Sequence, residues 1–281
     1  MTRILALVDG SIYSKSVCDH AAWVASRRGA EVALLHVIGR RRESGRRDLS
    51  GAIALGARTA LLDELSELDA RAARLAQERG RAILADAEDA VRAGGVQRVS
   101  TRLRIGDLVE EVSAAAGDLV MVGKRGEAAD FATGHLGSNL ERVVRAAERP
   151  VFVASRAFRP IRRVLIAYDG GASVMKAVDH LARSPLLEGL AIRLLTVGRD
   201  TPEARRGLEG AQAILRGGGL TAEVDIRAGQ PETAIAEAVE REGADLLVMG
   251  AYGRSRIRKL IIGSTTEAMM RGCPVPVMLF R

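Results

Sequence analysis

Gly250-Ala-Tyr-Gly253-Arg-Ser-Arg-Ile-Arg-Lys-Leu-Ile-Ile-Gly263-Ser264-Thr265 is the stretch on which the fold reading turns. An apolar run, Leu246-Leu-Val-Met249, precedes it and predicts a buried parallel strand. Ser264-Thr-Thr-Glu267 follows and predicts a helix start with a capping box from Ser264 to Glu267. The stretch is therefore strand, glycine loop, helix N-terminus. Two glycines three apart let the backbone turn its N–H groups inward. The Gly-Ser-Thr end adds unpaired N–H groups and the positive end of a helix dipole. Both features suit a polyphosphate, with Arg254, Arg256, Arg258 and Lys259 between them. No Gly-Lys-Ser/Thr or Gly-x-Gly-x-x-Gly is present, so neither the P-loop nor the dinucleotide fingerprint applies.

Outward from the loop, the chain reads as two copies of one pattern. Ile4-Leu-Ala-Leu-Val-Asp9-Gly10-Ser11 is a buried strand ending in a turn, and Arg163-Val-Leu-Ile-Ala-Tyr-Asp169-Gly170 repeats it. A helix from Ser14 to Arg28 and a strand Glu31–Val37 complete a βαβ unit, hence a parallel sheet. Asp107 caps a short helix, and Asp118-Leu-Val-Met-Val-Gly123 is a buried strand. Gly123-Lys-Arg-Gly126 then opens a second glycine loop that closes at Gly137-Ser138. Closing strands follow at Val151–Ala154 and Val275–Phe280. Asp9 to Asp169 is 160 residues, whereas Gly123 to Gly250 is 127, so copy one carries 33 extra residues. They fall after Val37, in a basic loop (Arg40 to Arg47) and a helix from about Thr59 to Arg92, with a break expected near Gly80. The helix carries an apolar row, Leu61, Leu62, Leu65, Leu68, Ala72 and Leu75. Pro160 marks the boundary, giving domains 1–157 and 158–281.

The glycine spacing Gly250-x2-Gly253-x9-Gly263-Ser264, the Asp after a first strand and the closing Cys273-Pro-Val strand resemble the universal stress protein family, whose ATP-binding signature has this form. The resemblance spans the chain in two copies. It implies two tandem α/β domains, each a doubly wound five-stranded parallel sheet (Rossmann-like, adenine nucleotide alpha hydrolase-like). It also implies ATP, with Mg2+, beyond the carboxyl ends of the strands, where the strand order reverses. In copy two the expected site is Asp169, Val197, Met249, Gly250, Tyr252, Gly253, Gly263, Ser264 and Thr265. In copy one it is Asp9, Val37, Gly123, Gly126, Gly137 and Ser138. Loop N–H groups, Ser264 and Thr265 suit phosphates. Asp169 suits a ribose hydroxyl or Mg2+, because a carboxylate repels phosphate unless a cation bridges them. Backbone at Val197 can read the adenine edge.

The copies differ in ways that bear on binding. Copy two reads Asp169-Gly170-Gly171 where the family pattern is Asp-x-Ser, which copy one keeps as Asp9-Gly10-Ser11. Copy one spaces its loop Gly126-x10-Gly137, one residue longer, and carries Glu127 and Asp130 there. Copy two is therefore expected to bind ATP better, and copy one is left open between binding and not binding. No Ser-His-Asp set, carboxylate pair or metal cluster is evident, so any hydrolysis would be slow, and His36 and His135 read as rim residues. In the family the closing strands pair between protomers, so here they are expected to pair within one chain, as a pseudo-dimer. Further association of two such chains as a homodimer is left open by the sequence, and a protein partner is expected without being identifiable.

Composition bounds the rest. Aromatics make up only 3% of the 281 residues, so the core must be Leu, Val, Ile and Ala, and base stacking on single strands is disfavoured. Net charge is +7, with only four lysines among 42 basic residues, a compositional bias toward arginine rather than a nucleic-acid surface. Cys18 and Cys273 are isolated, as suits a reducing cytoplasm. The first strand begins near Arg3, which leaves no room for a signal peptide, and no apolar run reaches the roughly 18 residues of a membrane span. The leading expectation is a cytoplasmic ATP-binding stress-response sensor. The alternative is a scaffold or sensor of the same fold that binds another small ligand or none.

Overall fold

A computed structural model of the chain describes residues 2–39, 55–126, 138–252 and 262–281; of residues 55–62 and Ser138 only the backbone is described. In copy one the elements are β1 (Arg3–Leu7), α1 (Ile12–Arg28), β2 (Glu31–Gly39), α2 (Leu55–Ala93), β3 (Val99–Gly106), α3 (Leu108–Ala114), β4 (Leu119–Gly123), α4 (Ser138–Ala146) and β5 (Val151–Ala154). Copy two has β6 (Arg163–Ala167), α5 (Ala172–Ala182), a 3-10 turn at Pro185–Leu187, β7 (Ala191–Val197), α6 (Pro202–Gly217), β8 (Ala222–Arg227), α7 (Pro231–Glu242), β9 (Leu246–Gly250), α8 (Ser264–Gly272) and β10 (Val277–Phe280).

All ten strands form one sheet, in the order β3-β2-β1-β4-β5-β10-β9-β6-β7-β8. Each half is the expected doubly wound, five-stranded parallel unit. The halves meet where β10 runs antiparallel to β5, with Val277 opposite Val153 and Leu279 opposite Val151. The closing strands thus pair within the chain.

Side chains alternate across the strands, which splits the core into two layers. Ile4, Ala6, Leu34, Met121, Phe152, Ile166 and Met278 pack under α1, α2, α5 and α6. Leu5, Leu7, Leu35, Val120, Val153, Leu247 and Leu279 pack under α3, α4, α7 and α8. Strands covered on both faces need no polar alternation, which is why β1, β4, β6 and β9 read as unbroken apolar runs.

The helix expected to break near Gly80 runs on as α2. Gly80 is there for close packing: a Cβ on it would lie 2.7 Å from Leu103 Cδ1 and 2.9 Å from the His36 ring. Residues beyond Gly80 join the core through Leu84, Ala87 and Val91. Before it, α2 leaves the sheet, and Leu65, Leu68 and Leu75 are 47%, 53% and 64% exposed. The basic loop Arg40–Arg47 lies outside the described residues. Among the described residues no helix is long and apolar enough to cross a membrane.

Candidate functional site

In both halves the first strand has its onward crossover on one side and the fourth strand on the other, so a cleft opens beyond the β1/β4 and β6/β9 carboxyl ends. The turn after β6 carries Asp169, which is exposed and accepts a bond from the Gly171 N–H at 2.8 Å. Gly170 has φ +73°, the left-handed turn conformation that favours glycine. Gly171 is the N-cap of α5 and offers no side chain, so that helix start has no side-chain cap.

Gly250 sits against this helix start. A Cβ there would lie 2.9 Å from Ser173 Cβ and 3.2 Å from the Val174 N. Glycine at this position is thus a steric requirement of loop against helix. Copy one repeats it, since a Cβ on Gly123 would lie 2.7 Å from Tyr13 Cβ.

The two ends of the copy-two loop are tied together. Gly263 donates its N–H to Ala251 O at 3.2 Å, and the buried Thr266 hydroxyl donates to Gly250 O at 3.0 Å. Ala251 N–H in turn bonds Phe280 O at 2.7 Å. Gly250, Gly263, Ser264 and Thr265 are thereby brought to the edge that carries Asp169.

The expected capping box does not form. Gly263, not Ser264, is the N-cap of α8, with φ −63° and no side-chain cap bond. Ser264 becomes the first helical residue and is exposed. Thr265 Oγ1 donates to Glu232 Oε1 at 2.8 Å. The Glu232 carboxylate is held below its ordinary range, first by its own backbone N–H, then by the Thr265 and Ser264 hydroxyls. Sequence reading missed Glu232, because nothing local links residue 232 to residue 265.

Val197 ends β7 opposite Arg227 and packs on the α7/α8 layer. Met249 is in ladder with both Ala167 and Leu279, and its side chain is buried. Tyr252 lies under the Arg281 guanidinium, 5.4 Å from the ring centroid, and its buried hydroxyl has no partner among the described residues. Gly253 lies outside the described residues, as do Arg254, Arg256, Arg258 and Lys259.

Copy one is more self-satisfied. Asp9 Oδ1 accepts from the Ser11 N–H at 3.0 Å and the Ser14 hydroxyl at 3.1 Å. The Ser11 side chain caps α1 by accepting from Tyr13 N. Gly126 folds over Asp9, where a Cβ would lie 2.9 Å from Oδ2. Val37, near the end of β2, pairs with Arg104. Asp107 caps α3 as expected and meets Arg142 at 2.5 Å; that guanidinium, then the Val109 and Glu110 N–H groups, hold its carboxyl low. His36 Nδ1 bonds Val8 O at 2.8 Å, which makes it a fixed rim residue. Lys124, between the two glycines, is buried, and its Nζ donates to Cys273 O across the junction of the halves. Gly137, Glu127, Asp130 and His135 lie outside the described residues, as does the Ser138 side chain. Among the described residues no cluster of three or more His, Cys, Asp or Glu could hold a metal ion.

With two glycine loops of this form on two doubly wound units, the family match follows the geometry. The model of the universal stress protein family matches residues 1–155 and again 160–281. The chain belongs to the universal stress protein family. Universal stress protein Slr1230 of Synechocystis sp. is 38% identical over 287 residues, covering all of both chains. A universal stress protein of Thermus aquaticus is 26% identical over 135 residues, which is 98% of that protein and 43% of this chain. Among solved structures, a universal stress protein from Archaeoglobus fulgidus superposes with TM-score 0.73 and 22% identity, covering 99% of this chain and 98% of that one. The tandem arrangement is thus shared end to end with the Synechocystis relative.

Proposed function

We propose that this member of the family binds ATP, in the cleft at the carboxyl ends of β6 and β9, and acts as a nucleotide-dependent sensor or regulator. The observation that carries the reading is the tie between the residues that flank the loop. The Gly263–Ala251 and Thr266–Gly250 bonds fix the first turn of α8, which has no side-chain cap, next to the start of α5, which has none either. Two helix N-termini without caps favour a polyanion. Asp169 and the Val197 backbone then take the ribose and adenine ends. Hydrolysis is slow at most: among the described residues the carboxylates at the cleft, Asp169 and Glu232, are already engaged by the Gly171 N–H and the Thr265 hydroxyl. The reading puts the boundary between the domains at residues 157 and 158, and the protein in the cytoplasm.

Glu232 sharpens the expectation. Its carboxylate stands where Ser264 and Thr265 would meet phosphate, so ATP must enter as its Mg2+ complex or displace Glu232 from Thr265. The same contact favours the second reading, a scaffold or sensor of this fold that binds no nucleotide because Glu232 already occupies the hydroxyls. A protein partner belongs to either reading. Leu65, Leu68 and Leu75 offer it an apolar row, and a second copy of the chain is the partner to test first.

Calorimetry with MgATP on the whole chain tests the proposal, alongside mass spectrometry of the purified protein for retained nucleotide. Binding at about one site per chain, lost in Gly263→Val, is the expected result. No saturable binding by the intact chain would favour the scaffold reading.

A further inference from the structure

Away from both clefts, a cavity of about 420 Å³ opens between the two halves. Lys176, Asp179, His180 and Arg183 line it from α5 and the residue after it. Their spacing of three, four and seven residues places them on one helical face. Arg28, in the last turn of α1, faces them from copy one, and Ser184 lies at the margin. Three cationic side chains, from both halves, thus line the cavity with one carboxylate. Among the described residues, no carboxylate lies within ion-pair distance of Arg28, Lys176 or Arg183.

Two polar atoms here are buried and have no hydrogen-bond partner among the described residues: Arg28 Nη1 and His180 Nε2. Buried polar groups are normally satisfied, so each orphan calls for an explanation. Asp118 is the carboxylate that acts on both groups, and it already accepts the Arg3 N–H at 2.8 Å. Burial holds both Arg28 and His180 below their ordinary values, and the Arg28 charge lowers His180 further. The His180 ring is fixed in place by Phe280, 5.4 Å away.

The repeat supplies an internal control. At the offset of 160, Lys176, His180 and Arg183 correspond to Ser16, His20 and Trp23 in copy one. His20 is fully buried there, packed edge-on by Phe158 at 5.0 Å and by Phe152 at 5.3 Å. Phe158, from the segment that joins the halves, packs its ring against His20. The cations are therefore not dictated by the repeat: around the matching histidine, copy one has Ser16 and Trp23 where copy two has Lys176 and Arg183, and its imidazole meets a second phenyl ring.

We propose that this cavity is a second ligand site, separate from the nucleotide cleft, which takes a small phosphate-bearing anion between Arg28, Lys176, His180 and Arg183. Arg28 supplies the planar fork that grips two oxygens, and Lys176 and Arg183 supply charge at the rim. The anion would give Arg28 Nη1 its missing acceptor, and would accept from His180 in its neutral tautomer with the proton on Nε2. A cavity of this volume holds a phosphorylated metabolite as readily as free phosphate. Because the walls come from both halves, occupancy would couple α1 to α5.

The test is titration of the whole chain, in chloride buffer at constant ionic strength, with inorganic phosphate, glycerol 3-phosphate and malate. Binding is read by calorimetry and by the imidazole NMR signals of His180. One saturable site for phosphate or its ester, with a His180 shift, is the expected result. The double variant Lys176→Gln, Arg183→Gln should weaken it about tenfold or more. Both side chains are exposed, so the variant keeps the fold, which circular dichroism checks. Gly263→Val should leave this binding unchanged. Tighter binding of the ester assigns a metabolite, and equal or tighter binding of inorganic phosphate assigns the free ion. Absence of saturation by about 10 mM, equal binding by the double variant, loss in Gly263→Val, or malate binding as tightly as phosphate would each overturn the proposal.

Discussion

His20 should make this protein acid-labile in a way that one substitution removes. Its Nδ1 lies 2.7 Å from Ser16 O, which selects the neutral tautomer with the proton on Nδ1. Nε2 is buried with no partner, between the rings of Phe152 and Phe158. Protonation would place an N–H and a full charge where nothing accepts either. Burial accordingly pushes the pKa down from 6.5 to about 4, against the raising effects of Ser16 and Asp19. The sign follows from linkage: between these values the unfolded chain takes up a proton that the folded chain refuses. Stability is complete above 6.5, falls as pH drops below it, and levels off near 4. At pH 4.5 the unfolded imidazole is almost fully protonated and the folded one about a quarter, a loss of about 2.5 kcal/mol from this residue. Carboxylates also contribute to acid unfolding, so the comparison must be with His20→Phe. At pH 7 that substitution exchanges the Ser16 bond for apolar contact and shifts stability by about 1 kcal/mol either way. Urea unfolding of both proteins at pH 7 and 4.5 gives the difference. Parallel losses, within about 0.5 kcal/mol, or an NMR titration of His20 centred near 6.5, would refute the reasoning.

Gly250→Ala forces a Cβ to 2.9 Å from Ser173 and 3.2 Å from the Val174 backbone; it should cost about 1–3 kcal/mol in urea unfolding and weaken nucleotide binding with it. Glu232→Gln removes the carboxylate held by Thr265 and should strengthen ATP binding about three- to tenfold without Mg2+, with less effect when Mg2+ is present. Cys18 is buried and its thiol is pushed up to about 12, mainly by desolvation, so it should resist a thiol reagent at pH 8 until the protein is unfolded; rapid native labelling would contradict that burial.

The buried strands were legible because a parallel strand covered on both faces is an unbroken apolar run, as at Leu119–Gly123 and Leu246–Gly250. The repeat was legible because Asp9 and Asp169 fall at the same point of the same pattern. What the sequence hid was long-range. Gly80 looked like a helix breaker because its role, contact with His36 and Leu103, involves residues tens of positions away. Ser264 looked like an N-cap because local spacing fits a capping box; the Gly263–Ala251 bond instead fixes the preceding residue as the cap. The contacts that lock the halves, Lys124 to Cys273 O and Arg281 to Arg145 O, join residues with no common motif. Glu232 belongs with these: a glutamate in the first turn of α7 is unremarkable until Thr265 is placed beside it.

The placement of polar side chains on the edge strands explains why the two halves occur in one chain. Val151–Ala154 and Val277–Phe280 are buried along their whole length. Either strand left as a free edge would present apolar side chains and unpaired backbone, a template for aggregation. The outer edges are built the other way. β3 carries Arg102 and Arg104, and β8 carries Glu223, Asp225 and Arg227, charges that discourage another strand from pairing. Tandem fusion pairs the two apolar edges permanently, at a local concentration no free partner matches. It also frees the halves to diverge, since each chain holds one of each. Copy one has drawn α2 across its turn, with Ile83 against Gly10, and satisfies Asp9 with Ser11 and Ser14. Copy two keeps Asp169 exposed and its helix starts without side-chain caps. The shared sheet therefore carries one half shaped toward self-contained packing and one half with polar groups still open at the cleft, and an experiment on nucleotide binding belongs on the intact chain.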